Sequence, residues 1–296
     1  MRYYTLRHKD VAHVAASEDG KRAYILRAFK TMNVLLLMGH DGKIPPLAEA
    51  VEIDSQNVEI LSPIPHPRQD VICLGINYSD HAKEAEGFDK EAFSKERPDP
   101  IFFSKRVSYS QGTGDIIPLH EDICDSLDYE TELGVVIGKE AYKVKAEDAA
   151  EYIFGYTIVN DVSARNLQTK HKQWYFGKSL DGFTPMGPCI VSKDEFDGIP
   201  ELDIKTHVNG DLRQSSNTKN LITGIPEIIE ILSAGMTLTP GTVIATGTPS
   251  GVAMGMDPPE FLRDGDEILC EIEGIGRLTN RVRSSAVPFI LAETFR

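Results

Sequence analysis

The stretch Asp128-Tyr-Glu-Thr-Glu-Leu-Gly-Val-Val-Ile-Gly138 decides how this chain is read. Leu133, Val135 and Ile137 alternate with other positions, and the run is β-branched and bounded by glycine, so its pattern predicts a strand over Tyr129–Ile137. A strand repeats its side chains every second residue. Glu130 and Glu132 therefore leave one face side by side, and the three aliphatic side chains point to the opposite face, which is expected to be core. Two adjacent carboxylates repel each other unless a proton or a cation lies between them. A divalent metal meets that demand, and so does an exposed, solvated strand face; spacing alone leaves both open.

Asp161 closes the apolar run Ile153-Phe-Gly-Tyr-Thr-Ile-Val-Asn-Asp161, where a buried strand emerges into Val162-Ser-Ala-Arg165. Three carboxylates with no histidine or cysteine beside them would make a hard, oxygen-rich site, suited to Mg²⁺, Mn²⁺ or Ca²⁺ rather than zinc. Asp161 is equally compatible with a plain turn residue.

His81 and Glu84 lie three positions apart in Asn77-Tyr-Ser-Asp-His-Ala-Lys-Glu84, so a helical turn starting near Ser79 or Asp80 puts them on one face. A carboxylate that orients an imidazole raises its basicity and leaves the other ring nitrogen to take a proton from water. The same pair also suits an exposed surface helix. Lys178 stands in the Gly/Pro-dense run Gly177-Lys-Ser-Leu-Asp-Gly-Phe-Thr-Pro-Met-Gly-Pro188, where it could stabilise an oxyanion or enolate or be a surface charge. The run is no phosphate loop, because Lys172 occupies the place of the first glycine. Thr246-Gly-Thr-Pro-Ser-Gly251 follows the strand Val243–Ala245 and could offer N–H groups and hydroxyls to a carboxylate, or be an ordinary loop. Trp174 walls a pocket or fills core. No dinucleotide fingerprint and no nucleophile elbow occur.

The bulk numbers bound the partners. With 31 Lys and Arg against 45 Asp and Glu, the net charge of −14 argues against nucleic acid and against anionic membranes. The most apolar short run, Val34–Met38, is too short to span a bilayer. Cys73, Cys124, Cys189 and Cys270 are widely spaced and read as core thiols of a reduced, cytoplasmic protein. A length of 296 residues suits a small β-rich N-terminal domain at 1–65 and a larger, strand-dominated domain at 66–296, joined through Pro63, Pro65 and Pro67. Hairpin reversals are expected at Glu18-Asp-Gly20 and His40-Asp-Gly-Lys43. Further strands are expected near Asp70–Asn77, Ile101–Lys105, Ile204–Val208 and Glu267–Ile272, and a helix from Pro226 to Gly235.

Taken in order, Leu74-Gly-Ile-Asn-Tyr-Ser-Asp-His-Ala-Lys-Glu84, Tyr129–Gly138, Asn160-Asp-Val-Ser-Ala-Arg-Asn-Leu-Gln168, Gly177-Lys-Ser-Leu-Asp181, Met186-Gly-Pro188 and Thr246–Gly251 resemble the fumarylacetoacetate hydrolase family from about residue 63 to about 283. The resemblance implies a mainly β (α+β) fold, with a mixed β-roll catalytic domain, usually in a homodimer. It implies a divalent cation, Mg²⁺ or Mn²⁺ with Ca²⁺ as a third candidate, held by Glu130, Glu132 and Asp161. It further implies a lid carrying the His81/Glu84 dyad, a charge-stabilising Lys178, and substrate contacts at Arg165, Gln168 and Thr248. The activity expected first is hydrolytic C–C cleavage of an acylpyruvate or fumarylpyruvate-like 2-oxo acid through an enolate. The alternatives are oxaloacetate decarboxylation or tautomerisation, isomerisation of 2-hydroxyhepta-2,4-diene-1,7-dioate, and, more remotely, a non-catalytic protein that binds a metal or a small acid. One departure from the resemblance is Ile76, where acylpyruvase-like members carry Arg, and it argues against an acylpyruvate preference.

Overall fold

The computed structural model describes residues 1–40, 42–46, 48–81 and 99–284. Strands dominate. The N-terminal part holds β1 (Arg2–His8), β2 (Val11–Ser17), β3 (Arg22–Ile25), β4 (Ala50–Glu52) and β5 (Val58–Ile60). The expected reversal at Glu18–Gly20 joins β2 to β3, where the Asp19 carboxylate accepts the N–H groups of Lys21 (2.8 Å) and Arg22 (2.9 Å). The reversal expected at His40–Lys43 is not one between strands. A helix, Met32–Met38, precedes it, capped by Thr31 and burying Met32, Leu35 and Leu36 at helical spacing. Asp41 lies outside the described residues.

Then follow β6 (Val71–Gly75), β7 (Ile101–Lys105), β8 (Ile116–Pro118), β9 (Leu127–Asp128), β10 (Thr131–Ile137), β11 (Ile153–Asn160), β12 (Ser163–Ala164) and β13 (Met186–Ser192). The chain continues through β14 (Asp203–Val208), β15 (Asp211–Asn217), β16 (Val243–Ala245), β17 (Glu267–Ile272) and β18 (Gly276–Arg283). The helix expected at Pro226–Gly235 spans Ile225–Ser233 and buries Ile225, Ile228, Ile229 and Leu232, with Pro226 in its first turn.

The largest sheet runs β4-β3-β2-β1-β13-β11-β10-β16-β6-β7, with β5 attached to β1. A second sheet runs β15-β14-β17-β18-β8. Most neighbours are antiparallel, but β16 pairs with β6 and β18 with β8 in parallel, so both sheets are mixed. The strand β1 pairs with β2 on one side and meets β13 through Arg2 and Tyr3, so the N-terminal strands extend the same sheet that carries the site.

The position of β10 corrects the simple picture of one core face. It sits inside the large sheet between β11 and β16, and all seven of its residues are buried. Leu133, Val135 and Ile137 join the larger core cluster, while Val136 packs into a second cluster with Val71, Cys73 and Ala245 on the other face. Glu132 therefore emerges into protein rather than solvent. Each fully buried aliphatic side chain here contributes roughly 1.5–3 kcal/mol, which fixes the strand register and with it the carboxylate.

Candidate active site

Glu130 lies one residue ahead of β10, not inside the expected strand. Its N–H donates to the Asn160 side-chain oxygen (3.0 Å) instead of to a ladder carbonyl, and its carbonyl accepts the Asp161 N–H (2.8 Å). The bend does not part the acids. One carboxylate oxygen from each of Glu130, Glu132 and Asp161 lies within 4.8 Å of the others, and all three residues are buried. Asp161 follows the last residue of β11, as the sequence suggested.

Cations surround this cluster. Lys178 closes the short helix Tyr175–Lys178, rather than sitting in a turn, and is 2 % exposed. Its Nζ donates to Glu130 Oε2 and Asp161 Oδ2, both at 2.7 Å. Arg165 opens the helix Arg165–Lys170; it contacts Glu130 Oε1 at 2.6 Å, donates through Nε to Asp128 Oδ2 (2.8 Å) and through Nη1 to Gln168 Oε1 (3.0 Å). Lys105, the last residue of β7, is fully buried; its Nζ donates to Asp161 Oδ1 and to the Val162 carbonyl (3.0 Å).

The charges respond to one another. Burial pushes the Glu132 carboxyl up, and the Asp161 and Glu130 carboxylates push it further. Burial would raise Glu130 too, but Lys178 and Arg165 outweigh it and hold that carboxyl well below the usual range. Burial opposes the Lys178 ammonium, yet Asp161 and Glu130 raise it overall. Lys105 ends below the ordinary lysine value because burial outweighs Asp161.

A pocket opens on this floor, lined among others by His81, Gln168, Thr248, Phe103, Trp174 and Ile76. His81 is the third residue of a helical turn that begins at Ser79, and it is buried within the pocket lining; Glu84 lies outside the described residues. Thr248 donates its hydroxyl to the Thr131 carbonyl (3.0 Å) and accepts from Gln214 (2.8 Å). Of the expected N–H donors in Thr246–Gly251, that of Gly247 goes to Glu132 Oε2 (2.8 Å). Gly247 takes φ +99°, and a Cβ there would stand 2.8 Å from that of Asn77, so glycine allows this approach. Trp174 is a pocket wall, one of the two roles open to it.

Two site residues escaped the sequence. Lys105 shares a strand face with Phe103 two residues earlier, so once Phe103 is known to line the pocket, alternation turns the lysine to the same side of β7, where it reaches Asp161. Asp128 anchors Arg165 from within the decisive stretch itself; its signal was a third acid at the same two-residue spacing.

The donor set fits a hard divalent cation. Glu132 Oε1 is buried without a hydrogen-bond partner, while the other two acids turn oxygens toward the same spot. Such an orphaned carboxylate oxygen calls for a proton or a metal ion. The four cysteines are separate buried thiols and take no part as a ligand cluster.

A mixed β scaffold with acids and cations gathered on a pocket floor has the layout of a catalytic domain. The chain belongs to the fumarylacetoacetate hydrolase family: residues 70–283 match the family described as Fumarylacetoacetate (FAA) hydrolase C-terminal. It is 49% identical over 225 residues to oxaloacetate tautomerase YisK of Bacillus subtilis (strain 168), covering 76% of this chain and 73% of that protein. Among solved structures it is similar to a fumarylacetoacetate hydrolase from psychrophilic Exiguobacterium antarcticum, with TM-score 0.86 and 38% identity over 96% of this chain and 99% of that one. It is also similar to a 5-carboxymethyl-2-hydroxymuconate delta-isomerase from Mycobacterium smegmatis, with TM-score 0.75 and 31% identity over 96% and 100% of the two chains. No helix among the described residues is long and apolar enough to cross a membrane.

Proposed function

We propose that this chain interconverts the keto and enol forms of a 2-oxo acid of the oxaloacetate type. The observation that carries the reading is the charge layout of the pocket floor. Four buried acids, Asp128, Glu130, Glu132 and Asp161, face three buried cations, Lys105, Arg165 and Lys178, so that with Glu132 ionised, as metal binding requires, the side chains together leave one negative charge. Bound to Glu130, Glu132 and Asp161, Mg²⁺ or Mn²⁺ would supply Lewis-acid polarisation of the 2-oxo group and make the floor net positive. An anionic substrate then belongs there.

The chain's own residues account for the remaining steps. Arg165 and Gln168 orient the substrate carboxylate by hydrogen bonding. His81 takes a proton from the carbon beside the keto group, so that a C–H bond breaks and the electron pair moves onto the oxygen. Lys178 donates a hydrogen bond to that oxygen as its charge grows. Return of the proton to oxygen completes the enol, and the reverse sequence restores the ketone. Phe103, Trp174 and Ile76 give the pocket an apolar wall that limits water near the anion. The tautomerase relative at 49% identity and the isomerase neighbour support proton relocation without carbon–carbon cleavage.

Hydrolytic C–C cleavage is the second reading, favoured by the placement of His81 in the pocket, where the same imidazole could activate water. Ultraviolet absorbance of enol-oxaloacetate separates the two. The expected result is faster ketonisation with Mg²⁺ or Mn²⁺, loss of that acceleration with EDTA, and no carbon–carbon cleavage of oxaloacetate or acetylpyruvate on the same timescale. Ketonisation at the uncatalysed rate refutes the tautomerase reading; metal-dependent cleavage of acetylpyruvate replaces it with the hydrolytic one.

A further inference from the structure

Each acid of the cluster has one oxygen already engaged, two by hydrogen bonds and that of Glu130 by an ion pair. Asp161 Oδ1 takes Lys105 Nζ, Glu130 Oε1 takes Arg165 at 2.6 Å, and Glu132 Oε2 takes the Gly247 N–H at 2.8 Å. One oxygen per acid is left over. Glu132 Oε1 has no hydrogen-bond partner, and Glu130 Oε2 and Asp161 Oδ2 share Lys178 Nζ. Of the two side chains among these three partners, Lys105 is the one the proposed chemistry does not use. It is fully buried, and its second bond to the Val162 carbonyl ties it to the backbone beside Asp161.

We propose that Lys105 is a positioning residue that restricts Asp161 to a single coordinating oxygen and so sets which divalent ion the cluster accepts. The proposal rests on the metal-site reading above. Three acids that each offer one oxygen suit a small six-coordinate ion, which needs near-octahedral geometry and keeps positions open for substrate and water. Ca²⁺ takes six to eight oxygens at longer distances and commonly uses a carboxylate through both. With Asp161 Oδ1 held by Lys105, that mode is denied to Ca²⁺ at the most deeply buried acid. A Gln at position 105, one bond shorter than lysine, keeps a donor directed toward Oδ1, whereas an apolar side chain removes it.

The test is calorimetric titration of the metal-depleted full-length protein with Mn²⁺ and with Ca²⁺ separately, for wild type, Lys105→Met and Lys105→Gln. Wild type is expected to bind Mn²⁺ at least roughly tenfold more tightly than Ca²⁺. Lys105→Met is expected to shrink that ratio by about tenfold, and Lys105→Gln to keep most of it. Equal weakening of both ions in Lys105→Met, with the ratio unchanged, overturns the proposal while leaving the metal site standing. If Lys105→Met does not fold by thermal unfolding, the wild-type ratio decides: comparable wild-type affinity for both ions overturns it. Absence of binding of either ion to wild type overturns both the proposal and the metal reading.

Discussion

Replacing Asp128 by Asn removes one charge and keeps the shape, yet it should be among the costliest single changes in this protein. Asp128 Oδ2 accepts from Arg165 Nε at 2.8 Å and from the Met254 N–H at 3.1 Å, and Oδ1 accepts from the N–H groups of Tyr129 and Ala253, each at 2.8 Å. All four partners are donors. Whichever way the asparagine amide is placed, its NH₂ faces two N–H groups, so two hydrogen bonds are lost rather than weakened. Bonds to a charged acceptor are worth about 1.5–3 kcal/mol each, so the loss comes to roughly 3–6 kcal/mol. Against a total stability of about 5–15 kcal/mol this leaves a protein near its threshold. Arg165 also loses the anchor that aims it at Glu130, so oxaloacetate KM should rise. Urea unfolding measures the first effect, as a lower midpoint with an unchanged slope, and steady-state kinetics at low temperature the second. A loss below about 1 kcal/mol would refute the account of Asp128 as a four-donor anchor.

Gly75→Ala should disturb the pocket more than the fold. An added Cβ would lie 2.1 Å from Trp174 Cζ3 and 2.6 Å from Cη2, so the indole must leave the wall it shares with Phe103. Because Trp174 is only half-buried and can swing outward, stability should fall by at most about 1–3 kcal/mol, while KM rises more than kcat falls; wild-type KM contradicts this. Glu132 predicts a pH signature. Its carboxyl is raised in the metal-depleted protein by burial and then by Asp161 and Glu130, so its contribution to stability is complete below the unfolded carboxyl value and is lost as pH rises through the raised folded value. Metal-depleted wild type should therefore lose Tm with rising pH across that window, and Glu132→Gln should flatten the dependence. Mn²⁺ uptake should release a proton, visible as a buffer-dependent heat of binding; equal heats in buffers of different ionisation enthalpy count against it.

Much of the site was legible because each part carries a local signature. Glu130 and Glu132 stand at the spacing of a strand, Asp161 ends an apolar run, and His81 and Lys178 sit in distinctive short segments, so ordered motifs could be matched without knowing the fold. What was not legible depends on which strand ends meet. Lys105 lies 56 residues from Asp161 in sequence, and only the order β10-β16-β6-β7 brings β7 to the cluster. The burial of both faces of β10 was hidden for the same reason: alternation reports one apolar face, whereas Gly134 and Val136 on the other do not stand out until a second core covers them. The helix Met32–Met38 was read only as an apolar run, since its seven residues are too few to display a clear period.

Whether Glu130, Glu132 and Asp161 together hold the ion on which the chemistry depends is decided by titrating Mn²⁺ into metal-depleted wild type and Glu132→Gln. One ion per chain is expected in wild type, with a loss of at least roughly a hundredfold in affinity in Glu132→Gln, whose amide offers a weaker, uncharged oxygen, and with both proteins folded by thermal unfolding. Unchanged Mn²⁺ affinity in Glu132→Gln, or no binding to wild type, would contradict it.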